Sequence, residues 1–131
     1  MLSLFQYDWS GNITEVIEVP NAEFARNWPG WAQANQRIDV ETEWYDMGTG
    51  EIKPRAPWEP TLNKTTINAD GADELIISGL PVGTKVAFGT NKYTVNDGEF
   101  VLTTVAHGTG YVRIVPPGKQ IRTVVFNALE L

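Results

Sequence analysis

The chain has 131 residues, 42% of them apolar, no cysteine, one histidine and a formal net charge of −6. That is enough length and apolar content for one ordinary domain, or a small domain with an ordered arm, so disorder throughout is excluded. The lack of cysteine excludes disulfides, thiol catalysis and cysteine-bound zinc, and an acidic surface repels phosphate backbones, so no nucleic-acid partner is expected.

The N-terminus, MLSLFQYDWSGN, has neither a basic n-region nor a long apolar run and does not read as a signal peptide. No stretch approaches the roughly 18 apolar residues that a membrane span needs, so no membrane partner is expected. Leu2–Tyr7 and Ile13–Val19 read as a hairpin around Ser10-Gly11-Asn12. Residues 21–35 hold at most one short helix, capped by Asn21 and ended by Pro29-Gly30. Arg37–Tyr45 alternates Ile38, Val40, Thr42 and Trp44 with acids, which predicts a half-exposed strand. Residues 1–46 thus read as an aromatic, acidic arm or subdomain. Residues 47–61 (MGTGEIKPRAPWEPT) read as a turn and a Pro-rich extended connector.

From residue 62 onward the pattern is a series of short strands punctuated by Gly, Pro and Asn. The predicted strands are Glu74–Ser78, Thr84–Phe88, Lys92–Val95, Glu99–Val105, Tyr111–Val115 and Gln120–Asn127. Asn96-Asp97-Gly98 reads as a hairpin turn between the third and fourth. Regular spacing and period-2 alternation point to a small β-sandwich over 62–131 and a mainly β chain. Charge divides along the same line. Residues 1–60 carry ten acids and four bases, whereas residues 61–131 carry six of each. The acidic part therefore suits a basic partner surface.

Residues suited to chemistry are sparse. His107 sits in a Gly-flanked turn with no second His or Cys to share a metal. Ser3, Ser10 and Ser78 lie in no nucleophile-elbow context. Asn68–Glu74 clusters oxygens without the spacing of a calcium loop and reads as a polar turn. No phosphate-binding glycine motif occurs. The expectation is a non-enzyme with no metal and no cofactor. The surplus is aromatic, with five tryptophans, four of them at or before Trp44. Trp28 and Trp31 flank a Pro-Gly turn, Trp58 lies in the connector and Trp9 lies in the first turn. These four are the candidate partner-binding anchors, because exposed indoles serve as interface anchors or as sugar-stacking platforms.

One run, Trp44-Tyr45-Asp46 followed by Thr49-Gly50-Glu51-Ile52-Lys53-Pro54-Arg55, resembles a segment of small tailed-phage proteins in which a Thr-Gly-Glu-Ile turn leads into a Pro-rich connector. Gly79-Leu80-Pro81, Thr84-Lys85-Val86, the run Lys92–Leu102 and Gly110-Tyr111-Val112-Arg113-Ile114 then resemble the immunoglobulin-like (Ig-like) module of those proteins. The resemblance covers Trp44 to Val115. The chain departs from the pattern at His107-Gly108-Thr109-Gly110 and at Val115-Pro116-Pro117-Gly118, which puts contacts by that last loop in doubt. The resemblance implies a virion structural protein of the tail, baseplate or fibre attachment, made in the bacterial host cytoplasm. Its partners would be other virion proteins and further copies of itself. The arm would dock on the particle and the β module would project or pair. The alternatives are a carbohydrate- or receptor-binding module using Trp28 and Trp31 against host-surface glycans, and a capsid decoration protein.

Overall fold

The computed structural model describes residues 2–130, which fall into two units, residues 1–56 and 57–131. The first unit begins with strands β1 (Leu2–Tyr7) and β2 (Ile13–Val19). A single turn of 3-10 helix (Phe24–Asn27) follows, then β3 (Ala32–Ala34), β4 (Glu43–Asp46) and β5 (Glu51–Pro54). Strand β1 lies between β2 and β3, antiparallel to both, and β4 pairs with β5 as a separate hairpin.

Alternation along β1 sends its side chains to two different layers. Leu2 and Leu4 pack with Val19 and Ala25, covered by Ile17, Trp28 and Trp31. Phe5 packs on the other side with Ile13 and Ile38, against Val16, Ala32, Ala34, Tyr45 and Ile52. The central strand is thus sandwiched between the 3-10 segment and the β4–β5 hairpin, so four consecutive residues, Leu2–Phe5, are all buried.

Turn chemistry fixes the β1–β2 connection. One carboxylate oxygen of Asp8 accepts the amides of Ser10 and Asn12 and the Ser10 hydroxyl, at 2.9 to 3.0 Å. Gly11 has φ 84°, and its carbonyl accepts the Tyr45 amide at 2.9 Å. A Cβ at Gly11 would stand 2.3 Å from the Tyr45 carbonyl oxygen, so only glycine permits this approach. The N-cap position of the 3-10 turn is Glu23 rather than Asn21, but the Asn21 side-chain oxygen braces the entry by accepting the Glu23 and Phe24 amides at 3.0 and 3.3 Å.

The strand expected over Arg37–Tyr45 is shorter, beginning only at Glu43. The Asp39 side chain accepts the Glu41 amide at 3.0 Å, and the Glu43 side chain accepts the Asp39 amide at 2.9 Å. Carboxylates here outcompete a ladder for the backbone donors and turn the chain. Ile38 is buried, but Val40 points outward. Within residues 47–61, read from the sequence as a connector, lie β5 and the first residue of β6, with the unit boundary after Ala56.

The second unit is a two-sheet sandwich. Its strands are β6 (Thr61–Leu62), β7 (Thr66–Asn68), β8 (Leu75–Ser78), β9 (Thr84–Phe88), β10 (Asn91–Val95), β11 (Glu99–Leu102), β12 (Gly108–Val115) and β13 (Arg122–Leu129). One sheet runs β10-β9-β12-β13-β7 and the other β11-β8-β6. All pairs are antiparallel except β13 with β7, which is parallel. The first edge segment switches sheets, pairing as β6 in one and β7 in the other.

Inward residues of both sheets form a single core. It holds Leu75, Ile77 and Leu102 from the smaller sheet, with Val86, Val112, Ile114, Val124 and Phe126 from the larger. The β12–β13 register places Gly110 opposite Phe126, and a Cβ at Gly110 would lie 2.2 Å from that ring. Asn96-Asp97-Gly98 does not close a hairpin within one sheet. It carries the chain from β10 in the larger sheet to β11 in the smaller, while the tight hairpin is β9–β10 through Gly89-Thr90. Strand β11 stops at Leu102 rather than Val105; the Thr104 hydroxyl accepts the Ala106 amide at 3.1 Å and turns the chain there.

Candidate functional site

The four candidate anchors have different surroundings. Trp28 and Trp31 are half-buried and lie over Leu2, Leu4, Val19 and Ala25, forming one outer layer of the N-terminal unit. Trp58 packs on the sandwich core, and its indole N–H donates to the Gln120 carbonyl at 2.6 Å. The same flank is held by an Arg122–Glu59 ion pair, which pins the entry to the sandwich. Trp9 stands apart, 60% exposed at the β1–β2 turn. The structure does not bring the four together on one surface of either unit. Trp28 and Trp31 share a layer, Trp9 is at a loop tip, and Trp58 belongs to the other unit.

The groups considered for chemistry have structural partners. Asp70 accepts the amides of Ala72 and Asp73 at 2.9 and 2.8 Å, and these bonds lower its pKa. Asp73 pairs with Lys64 and accepts the Asn68 amide at 2.7 Å; the lysine first and the amide second lower its pKa. Carboxylates already holding backbone donors and a lysine make a rigid turn. His107 is exposed in the loop entering β12. Among the described residues, no three His, Cys, Asp or Glu side chains converge as a metal site, and no helix is long and apolar enough to cross a membrane.

Two surfaces have the character of binding sites. The first is a cleft of about 470 Å³ in the N-terminal unit, between strand β3 with its following residues and the β4–β5 hairpin. It is lined by residues 32–36 of β3 and its continuation, by Tyr45 and residues 50–52 of the hairpin, and by Phe5. Ala32 and Ala34 face it from β3, whereas the Gln33 side chain shares the opposite face with Leu4. Tyr45 sits in a cluster with Phe5 and Tyr7, at ring distances of 5.1 and 4.5 Å, which fixes its plane. No sequence pattern marked this cleft, since Gln and Asn in a loop carry no periodicity.

The second is the outer face of the five-stranded sheet. Val112 and Ile114 point into the core, so Tyr111 and Arg113 point out, and Val125 lies opposite Tyr111 on β13. Tyr111 is 62% and Val125 51% exposed. The alternation in YVRIV and TVVFNAL is the sequence signal for this face, once β12 and β13 are known to pair.

No protein-family model, no curated protein and no solved structure matches the chain.

Proposed function

We propose that the chain is a structural component of a tailed-phage virion, a tail, baseplate or fibre-attachment protein that acts by binding other virion proteins. The N-terminal unit docks on the particle and the Ig-like sandwich projects or pairs. The resemblance over Trp44–Val115 supplies the virion class. The observation that carries the binding role is the placement of large exposed apolar side chains on well-packed frames: Trp9 on a turn braced by Asp8, and Tyr111 with Val125 on the open face of a sheet. Such pre-organised aromatics lose little entropy on docking, which is what a part assembled in many copies requires.

The test is quantitative mass spectrometry of purified particles of the phage that encodes the chain. The reading expects the chain in a fixed ratio to other tail proteins, and its absence from the particles overturns it. A cryo-EM map of the same particles then separates tail from capsid, density on the head surface making the chain a decoration protein.

A second reading, carbohydrate or receptor binding, is favoured by the cleft in the N-terminal unit. Amide donors and acceptors beside an aromatic plane suit a neutral polyhydroxylated ligand. In this reading Tyr45 and Asn35 replace Trp28 and Trp31 as the groups that meet the sugar. A glycan array probed with the full chain and with Asn35→Ala checks it, and binding that survives the substitution rules the cleft out.

A further inference from the structure

The five strands β7, β9, β10, β12 and β13 contain no aspartate or glutamate at all, in a chain with 16 acids and 10 bases. Their charged residues are Lys85, Lys92, Arg113 and Arg122. Arg122 is held at the strand end by Glu59. The other three are brought to one surface by register. Lys92 lies beside Ala87, Ala87 beside Arg113 and Arg113 beside Thr123, making one rung across four strands. Lys85 lies in the next rung, beside Thr94 and Val115, and donates to the Thr94 hydroxyl at 2.9 Å. Tyr111 and Val125 share this face, one pleat from Arg113. The result is an aromatic and aliphatic centre with a basic margin, the anatomy of a protein-docking surface.

The N-terminal unit has the opposite character. Residues 1–56 carry nine acids and four bases. Of the bases, Arg55 is buried, Arg37 pairs with Glu18 and Lys53 pairs with Asp46. The two ion pairs remove one acid with each base, so the surface it offers stays net acidic. The acids are densest at Asp39, Glu41 and Glu43, in a turn whose backbone is held by Asp39 and Glu43 themselves and whose Val40 is exposed.

We infer that the outer face of the five-stranded sheet docks the acidic N-terminal unit of a second copy of this chain. The inference rests on the assembly reading above and names its partner. Such a contact is head-to-tail: each copy presents both halves, so it propagates into a ring or a row without any new surface. Five strands about 4.8 Å apart, the two longest some 27 Å in length, give a face of roughly 500 Å², on the small side for one partner's share of a stable interface. A single contact is therefore weak, and repetition along the assembly supplies the strength. A polyanionic nucleic acid is the poorer occupant, because the chain as a whole repels it at −6.

The test uses the full chain. Sedimentation equilibrium at about 50 mM and about 500 mM salt should show self-association whose dissociation constant rises at least about tenfold in the higher salt. Lys92→Glu with Arg113→Glu should leave a monomer, and Tyr111→Ser should weaken association at least about tenfold. Both variants alter exposed positions, and unchanged circular dichroism checks their fold. Zero-length carbodiimide coupling of a mixture of isotopically light and heavy chains should join Lys85 or Lys92 of one copy to acids within residues 1–56 of another. A wild-type chain that stays monomeric up to about 0.2 mM at low salt overturns the inference. So does association that survives the double charge reversal, or cross-links running from these lysines to acids of residues 57–131. None of these outcomes touches virion incorporation, which the particle mass spectrometry reads separately.

Discussion

The two units are held together in different ways. In the sandwich, eleven buried apolar side chains from the two sheets and Leu80 from the β8–β9 loop join one cluster. In the N-terminal unit, a cluster of four and a cluster of three lie on opposite sides of one three-stranded sheet. A large core tolerates imprecision, because each residue is a modest part of the buried area. Two thin ones leave more to particular polar contacts, and the N-terminal unit is rich in them. Ser3 is buried and donates to the Gln36 carbonyl at 2.6 Å, Arg55 is buried and donates to Asn12 at 3.1 Å, and Asp8 holds the first turn. The comparison predicts that the sandwich fails through lost volume and the N-terminal unit through lost geometry.

The largest expected effect is in the sandwich core. Phe126→Ala should destabilise residues 57–131 by about 3–5 kcal/mol, through lost burial and the cavity beside Gly110. Hydrogen exchange of the β12 and β13 amides reads this, and exchange in β1 and β2 should stay as it was. Gly11→Ala should cost the N-terminal unit at least about 2 kcal/mol, combining an unfavourable positive φ with a clash at the Tyr45 carbonyl. A variant of normal stability would show that the close approach of that turn to β4 is not needed. Asp8→Ala, which frees the Ser10 and Asn12 amides, should cost about 1–2 kcal/mol in the same unit. Its signature is faster exchange at the β1–β2 turn.

Much of this contrast was legible in the sequence, but unevenly. The sandwich strands β8, β9, β12 and β13 were legible as strands from their β-branched runs between turn residues, but their inward residues were not, because Leu75-Ile76-Ile77 and Val124-Val125-Phe126 are unbroken apolar runs. The β1–β2 hairpin was equally plain from Ser10-Gly11-Asn12. Strands β6 and β7 were not, because two or three residues paired at an edge leave no periodicity. The Asn96-Asp97-Gly98 turn misled for a different reason: turn residues specify a reversal and say nothing about which sheet receives the next strand. Residues 37–42 misled because alternating acids resemble a half-exposed strand until their carboxylates cap the backbone. Trp28 and Trp31 are half-buried because a two-sided sheet leaves a second face to cover, which composition does not reveal.

Smaller effects sharpen the comparison. Trp58→Phe keeps the ring on the sandwich core but removes its bond to Gln120, for an expected loss of about 1 kcal/mol in residues 57–131. A much larger loss would mean that the entry segment, and not the two sheets, limits sandwich stability. The smallest effect concerns acid. Lys53 donates to Asp46 at 2.7 Å across the β4–β5 hairpin, and this bond, aided by the Gly48 amide, lowers the Asp46 pKa below its ordinary 3.8. The folded value lies below the unfolded one, so the contribution is present above the ordinary carboxylate pKa and is lost as pH falls through the lowered one. The same contact raises Lys53 above 10.5, so its share is present below that value and is lost as pH rises through the raised one. Both groups are exposed, so the gain is slight. Asp46→Asn should flatten the acid limb of the N-terminal unit's stability profile and leave that of the sandwich unchanged.

Docking by the N-terminal unit is read most directly by comparing incorporation of the full chain and of residues 57–131 alone into particles, supplied during infection by phage lacking the gene. With the N-terminal unit as the docking part, residues 57–131 should give the dispersed amide spectrum of a folded sandwich yet be missing from purified particles. Incorporation of that truncated chain at the copy number of the full chain would contradict that docking role.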